Sequence, residues 1–248
     1  VSRQLGRLAF WIAALAAWQL LAMHGAPEYV LAPSDVVKHF VAALGTRELY
    51  ADAGASLARA LPGFALGTLL GVALGLAAGI RRAFDELLSP VVFLTYPVPK
   101  IVMLPLFMLW FGIGDLSKVM IIALACFYPA FINAYYGARA TPRILVWSAR
   151  NMGADDAQIF RRVVLPGALP QIFAGMRVAL ALSFIVMFAT EMINARSGLG
   201  FLIRQAEQSL RFDLMYVSLL TIAILGYAGD RLLRYTRSRL LPWEQSHA

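Results

Sequence analysis

Six apolar stretches, each close to the length that crosses a bilayer, decide most of what this chain can fold into. They run near Leu8–Met23, Leu57–Ile80, Leu87–Gly112, Ser117–Gly137, Ala168–Ile193 and Leu214–Gly229. A spanning helix needs about 20 mostly apolar residues, and a backbone in hydrocarbon must satisfy its own N–H and C=O groups. The first and last stretches are short, so their helices are expected to take in some polar flank. Hydrophobic residues make up 60% of the chain and charged ones 15%, where soluble domains sit nearer half and a quarter. The expected fold is all-α, a single transmembrane domain over 1–248 with about six spanning helices. The first stretch does not read as a signal peptide with its n-region and cleavage site, so it is expected to be a retained span.

A net charge of +8 could suggest a nucleic-acid partner, but the basic residues sit at the ends of apolar spans, which is the pattern of membrane topology. With a cytoplasmic N-terminus, thirteen fall on the cytoplasmic side (Arg3, Arg7, Arg81, Arg82, Arg139, Arg143, Arg150, Arg161, Arg162, Arg231, Arg234, Arg237, Arg239). Seven fall outside (Lys38, Arg47, Arg59, Lys118, Arg196, Arg204, Arg211). That asymmetry puts both termini and the polar segment 141–167 in the cytoplasm.

That segment is the longest interruption that is neither span nor simple turn. Thr141-Pro142 has the form of a helix start, a hydroxyl cap followed by a first-turn proline. Gly153 breaks the run, and Asp155 can cap a second helix, Asp156–Val164, with Ala157, Phe160, Val163 and Val164 on one face. Leu165-Pro166-Gly167 is expected to end it, because proline lacks the amide. The result is a helical knuckle too charged to span and too apolar to float free, a shape suited to docking into another protein.

Elsewhere, Pro33-Ser34-Asp35 reads as a helix start for an amphipathic surface helix or, equally, part of an ordered loop. Gly63, Gly67, Gly71, Gly75 and Gly79 form a small-residue stripe that lets another backbone come close, for packing within the bundle or for lining a conduit or dimer seam. Pro90, Pro97, Pro99 and Pro105 argue against a straight third helix. Lys100 inside that break is either a functional cation on a translocation path or a lysine snorkelling, or bonding to a backbone carbonyl. Glu191 is either a polar group at the mouth of a conduit or an acceptor tying down the Gly198–Gly200 loop. Pro97, Pro99, Lys100, Met103 and Glu191 are thus the candidate path residues. Cys126 reads as a small buried apolar residue, and Asp230-Arg231 as a marker of the membrane interface.

The chain lacks a G-x-x-x-x-G-K-[ST] loop and an H-E-x-x-H motif, and its three histidines and one cysteine are scattered. The spans also lack the dense acids of an ion-coupled carrier. No metal or nucleotide site is expected on this chain, and no enzymatic activity: it reads as a passage without its own power source.

The segment 147–166 resembles the "EAA" loop of bacterial ABC-importer permeases, E-A-A-x-x-x-G, nine residues, then I-x-L-P. Gly153, Val163 and Leu165-Pro166 fit, while Trp147-Ser148-Ala149 replaces E-A-A and so removes the glutamate. Pro97-Val98-Pro99-Lys100, Leu104-Pro105-Leu106, Leu109-Trp110-Phe111-Gly112-Ile113-Gly114, Leu165-Pro166-Gly167-Ala168-Leu169-Pro170, Glu191-Met192 and Gly198-Leu199-Gly200 resemble the nitrate, sulfonate and taurine permeases. The similarity runs from about Pro33 to Trp243. It implies the MetI-like type I importer fold in a bacterial inner membrane. It further implies a second permease copy and two cytoplasmic ABC ATPase subunits that hold ATP and Mg. A periplasmic binding protein would deliver a small, anionic solute. Trp147, Ser148, Ala149, Met152, Gly153, Ala154, Asp155, Phe160, Leu165 and Pro166 would make the ATPase contact. The competing class is a self-contained secondary carrier or channel, which would need coupling-ion ligands and often an inverted repeat.

Overall fold

A computed structural model describes residues 2–25, 27 and 29–242. In chain order the helices are α1 (Ser2–Met23), α2 (Pro33–Ala43), α3 (Arg47–Ile80), α4 (Arg82–Thr95), a 3₁₀ turn (Lys100–Met103), α5 (Leu104–Phe111), α6 (Asp115–Arg139), α7 (Arg143–Asn151), α8 (Asp156–Ile159), a π turn (Phe160–Val164), α9 (Leu165–Asn194), α10 (Leu199–Gln208) and α11 (Phe212–Leu240). No strand occurs among the described residues. Four helical runs are long and apolar enough to cross a membrane: α3, α6, the continuous run Asp156–Asn194, and α11. The third predicted span is a fifth only if α4 and Lys100–Phe111, bent by 95°, count as one. The first is the shorter apolar part of α1, Ala9–Met23.

The residues group into two compact units, 1–56 with 191–224, and 57–190 with 225–248. In the first, the end of α1 is tied to the start of α2: Gln19 Nε2 donates to Ser34 Oγ (2.9 Å) and Ser34 N–H to Gln19 Oε1 (3.1 Å). Pro33 opens α2 at its first turn, where the missing N–H is not needed. So Pro33–Ala43 is a helix rather than a loop, with Val36 buried and Val37 and Val41 exposed.

The second unit is built around α6. On one side Gly63, Gly67, Gly71, Gly75 and Gly79 of α3 run along it. A Cβ at Gly63 would lie 2.6 Å from the Ile122 side chain, at Gly71 2.5 Å from Phe127 O, and at Gly79 2.7 Å from Ala138 Cβ. At Gly67 and Gly75 it would fall on the carbonyl oxygens of Ala123 and Phe131. On another side Tyr128, Phe131 and Tyr135 pack with Val92 of α4. Against α9 the spacing is again set by glycine, since a Cβ at Gly175 would meet Pro129 O at 2.7 Å. Cys126 is wholly buried there, its thiol donating to Ala179 O at 3.3 Å.

Four sequence expectations change. Helix α3 begins ten residues before the apolar stretch, because Arg47–Ser56 (Glu48, Leu49 and alternate alanines) is polar but made of good helix formers. Leu165-Pro166-Gly167 does not end a helix. The π turn at Phe160–Val164 widens the backbone just before Pro166, and the helix runs on into α9. The same turn shifts the buried face, so Ile159 and Val164 point inward while Ala157 is exposed. Thr141 does not cap α7: Pro142 occupies the cap position, and Thr141 Oγ1 is buried with no hydrogen-bond partner among the described residues.

Candidate functional site

The segment after α6 folds as an elbow. Helix α7 closes with Gly153 N–H donating to Arg150 O (3.0 Å) and Ala154 N–H to Ala149 O (3.0 Å), the paired bonds of a left-handed helix end. That end requires positive φ, which Gly153 supplies at +83°. Asp155 then opens α8 with a reciprocal capping box: Gln158 N–H donates to Asp155 Oδ1 (2.8 Å) and Asp155 N–H to Gln158 Oε1 (3.1 Å). Arg150 bridges the corner to Asp156 at 2.8 Å.

The elbow has two faces. Val146, Ala149, Ala154, Phe160 and Leu165 pack against a core of the same unit that includes Ala138, Ile159, Val164 and Ala168. Facing outward are Trp147, 58% exposed, and Met152, 81% exposed, with Ile144, Leu145 and the polar Ser148 and Asp155 also exposed. Phe160 is therefore half-buried against its own chain, and Trp147 and Met152, with Ile144 and Leu145, carry the free apolar surface. Pro166 is half-buried.

A groove of about 490 Å³ opens at the α4–α5 break. Its lining is Tyr96–Ile101, Ala125, Tyr128 and Pro129 of α6, and Leu182, Ile185, Val186 and Ala189 of α9. Pro97, Pro99 and Lys100 are brought together here; Met103 and Glu191 are not among the lining residues. Lys100 uses its three N–H donors on Thr95 O (2.9 Å), Tyr96 O (2.8 Å) and Val98 O (2.7 Å), and its ammonium lies 3.8 Å from the Tyr128 ring centroid. Pro99 has no N–H to return to Thr95 O, which accepts from Val98 N–H (3.2 Å) and from the ammonium instead. Tyr128 Oη also donates to Thr95 Oγ1 at 3.0 Å.

Glu191 is fully buried. The first N–H groups of α10 are captured in turn: Gly198 by Asp52 Oδ1 (2.7 Å), Leu199 by Ser56 Oγ (2.9 Å) and Gly200 by Glu191 Oε2 (3.0 Å). Ser56 Oγ donates to Glu191 at 2.8 Å. This places a carboxylate on the donors a helix start leaves unpaired. Gly198 has φ +113°, and a Cβ there would be 2.5 Å from the Glu191 carboxylate. Glu191 thus ties the 198–200 loop rather than lining the groove. Arg204 completes the knot by donating to the carbonyls of Met192 (3.0 Å), Ile193 (3.1 Å) and Ala195 (2.9 Å).

Residues 57–241 match the family of binding-protein-dependent transport system inner membrane components. The chain belongs to that family. It is a membrane-spanning ABC-importer permease component, similar at 34% identity to an Escherichia coli K12 protein named as an aliphatic sulfonates transport permease, SsuC, over all of this chain and 96% of that one. The E. coli taurine transport system permease protein TauC is 32% identical over 88% of this chain and 81% of its own. The Chloroflexus aurantiacus riboflavin transport system permease protein RibX is 36% identical over 92% and 86%. Two solved structures share the fold. One is a chain of the MetNI methionine ABC transporter in an inward-facing conformation (TM-score 0.60, 23% identity, 73% of this chain and 92% of that one). The other is from a bacterial ABC transporter involved in the import of the acidic polysaccharide alginate (TM-score 0.66, 13% identity, 96% and 93%).

Sequence reasoning missed the partners that make the permease's charges stable. Asp52 and Ser56 sit in polar sequence and gave no signal. Arg59 is buried and paired with the exposed Asp115 at 2.7 Å. Asp230 is more than an interface marker, because it binds Arg177 at 2.6 Å and Arg234 at 2.9 Å. Arg177, a lone cation inside an apolar stretch, was the available clue.

Proposed function

We propose that this permease works as two copies in a bacterial inner membrane, with its termini and the loop 141–167 in the cytoplasm. Two ATPase subunits, which hold ATP and Mg, receive the elbow, and a periplasmic binding protein delivers the solute to the opposite side. The carrying observation is mechanical: the exposed Trp147 and Met152 stand on a helix joined by the short Gly153 corner to a helical run of 39 residues, Asp156–Asn194, that includes α8 and the π turn. A push on the elbow is therefore a push on a spanning helix. ATP binding closes the ATPase pair and favours one permease state over the other; hydrolysis releases it.

The solute is a small anion of the sulfonate, taurine, nitrate or organic-acid kind, a reading supported by two relatives named for sulfonates and taurine. Lys100 has its donors engaged, so the solute's charge is read chiefly by the binding protein, and the groove at the break receives the body of the solute. A thermal-shift screen of the binding protein that serves this permease tests the solute class: stabilisation by uncharged compounds alone overturns it. For the elbow, the test is Trp147→Glu with Met152→Glu. Both side chains are exposed, so the subunit inserts normally, but the ATPase no longer co-purifies and uptake is lost. Retention of both in that variant contradicts the proposal.

A further inference from the structure

We propose that Arg177 and Arg234 form a binding site for the phosphate of an anionic phospholipid where α9 meets α11. Asp230 Oδ1 accepts from Arg177 Nε at 2.6 Å and Oδ2 from Arg177 Nη2 at 3.3 Å, while Arg234 Nη2 lies 2.9 Å from Oδ2. One carboxylate is shared by two guanidinium groups, leaving a net charge of +1 on the cluster. From Arg231 to Leu240 the chain adds Arg231, Arg237 and Arg239 and no acid.

The depth of the cluster points to lipid. Arg177 lies inside the apolar stretch Ala168–Ile193 of α9, and its side chain is 59% exposed. Asp230 directly follows the apolar stretch of α11, so the Arg177 stem snorkels to the level where hydrocarbon gives way to headgroups. Of its five N–H donors, the Nη1 pair and one on Nη2 make no bond within the chain among the described residues. At that level the free donors meet headgroups, and a guanidinium pairs bidentately with phosphate. Val178, next to Arg177 in the chain, and Tyr227, one turn before Asp230, are exposed, so the surface suits a molecule with a phosphate head and apolar tails rather than a free phosphate. Anionic headgroups attract such cations at the membrane surface.

The experiment is native mass spectrometry of the purified full chain, with whatever subunits accompany it, titrated in detergent with phosphatidylglycerol or phosphatidylcholine. Phosphatidylglycerol is expected to bind preferentially. The Arg177→Gln, Arg234→Gln double variant should bind it about five-fold more weakly per arginine removed, hence roughly thirty-fold for both. Asp230→Asn, which breaks the ion pairs but keeps both cations, should bind at least as tightly as the native chain; this comparison stands even where the double variant fails to fold. Equal binding by the native chain and the double variant overturns the site, as does loss of binding in Asp230→Asn. Displacement by millimolar inorganic phosphate assigns a free-phosphate site, and cross-linking of these arginines to a second copy assigns a protein interface; either overturns the lipid.

Discussion

Gly67→Ala tests the packing on which the second unit is built. A Cβ at Gly67 would stand 2.8 Å from Cys126 Cβ and 2.9 Å from Ala123 C, and would fall on Ala123 O. Carbon contacts are most favourable at about 3.5–4.0 Å, so α3 must retreat from α6 by about 1 Å or both must bend. Overpacking of this kind costs about 1–3 kcal/mol. Alanine for glycine in a helix returns about 1 kcal/mol, leaving a net loss of about 0–2 kcal/mol. Gly54→Ala on the same helix is the control, because nothing lies within 4 Å of its would-be Cβ, and it should gain up to about 1 kcal/mol. The two variants should therefore differ by about 1–3 kcal/mol, or roughly 2–12 °C in thermal midpoint at about 2–4 °C per kcal/mol. Loss of monodispersity on heating the purified chain in detergent reads this out. A Gly67→Ala midpoint at or above that of Gly54→Ala refutes the close α3–α6 contact.

Two further perturbations address the locks. Glu191→Ala leaves the Ser56 hydroxyl and the Gly200 N–H without their acceptor, at about 1–3 kcal/mol each, whereas Glu191→Gln keeps an acceptor and loses less. Amide exchange at 198–200 should rise strongly in the first and modestly in the second, and identical exchange in both contradicts the carboxylate's role. Lys100→Met strips the donor from three carbonyls and should raise exchange across 95–103 while leaving α7 unchanged; an unaltered 95–103 segment removes the lysine from the account of the break.

How much of this was legible in the sequence follows from what each feature depends on. Glycine at every fourth residue and proline at 97 and 99 have local consequences, so the stripe and the broken third span were readable. Gly153 and Asp155 likewise act within a few residues, and the helix end and the cap lie where the sequence put them. Pro166 misled, because a π turn can absorb a proline and no sequence pattern announced one. Glu191 presented two readings that only long-range geometry could separate, since Asp52 and Ser56 lie far from it in the chain. The faces of the elbow depended on that same π register, so Phe160 was expected outward and is packed inward.

The central claim is that the elbow faces the ATP-containing side, exposed and ready to dock. Cys126 is the chain's one cysteine and is buried, so Cys126→Ala gives a clean background in which Met152→Cys carries the only thiol. A membrane-impermeant maleimide should label that thiol in inside-out vesicles and not in right-side-out ones, with labelling suppressed when the ATPase subunit is co-expressed. Labelling from the outside, or no labelling until the membrane is dissolved, would contradict the account.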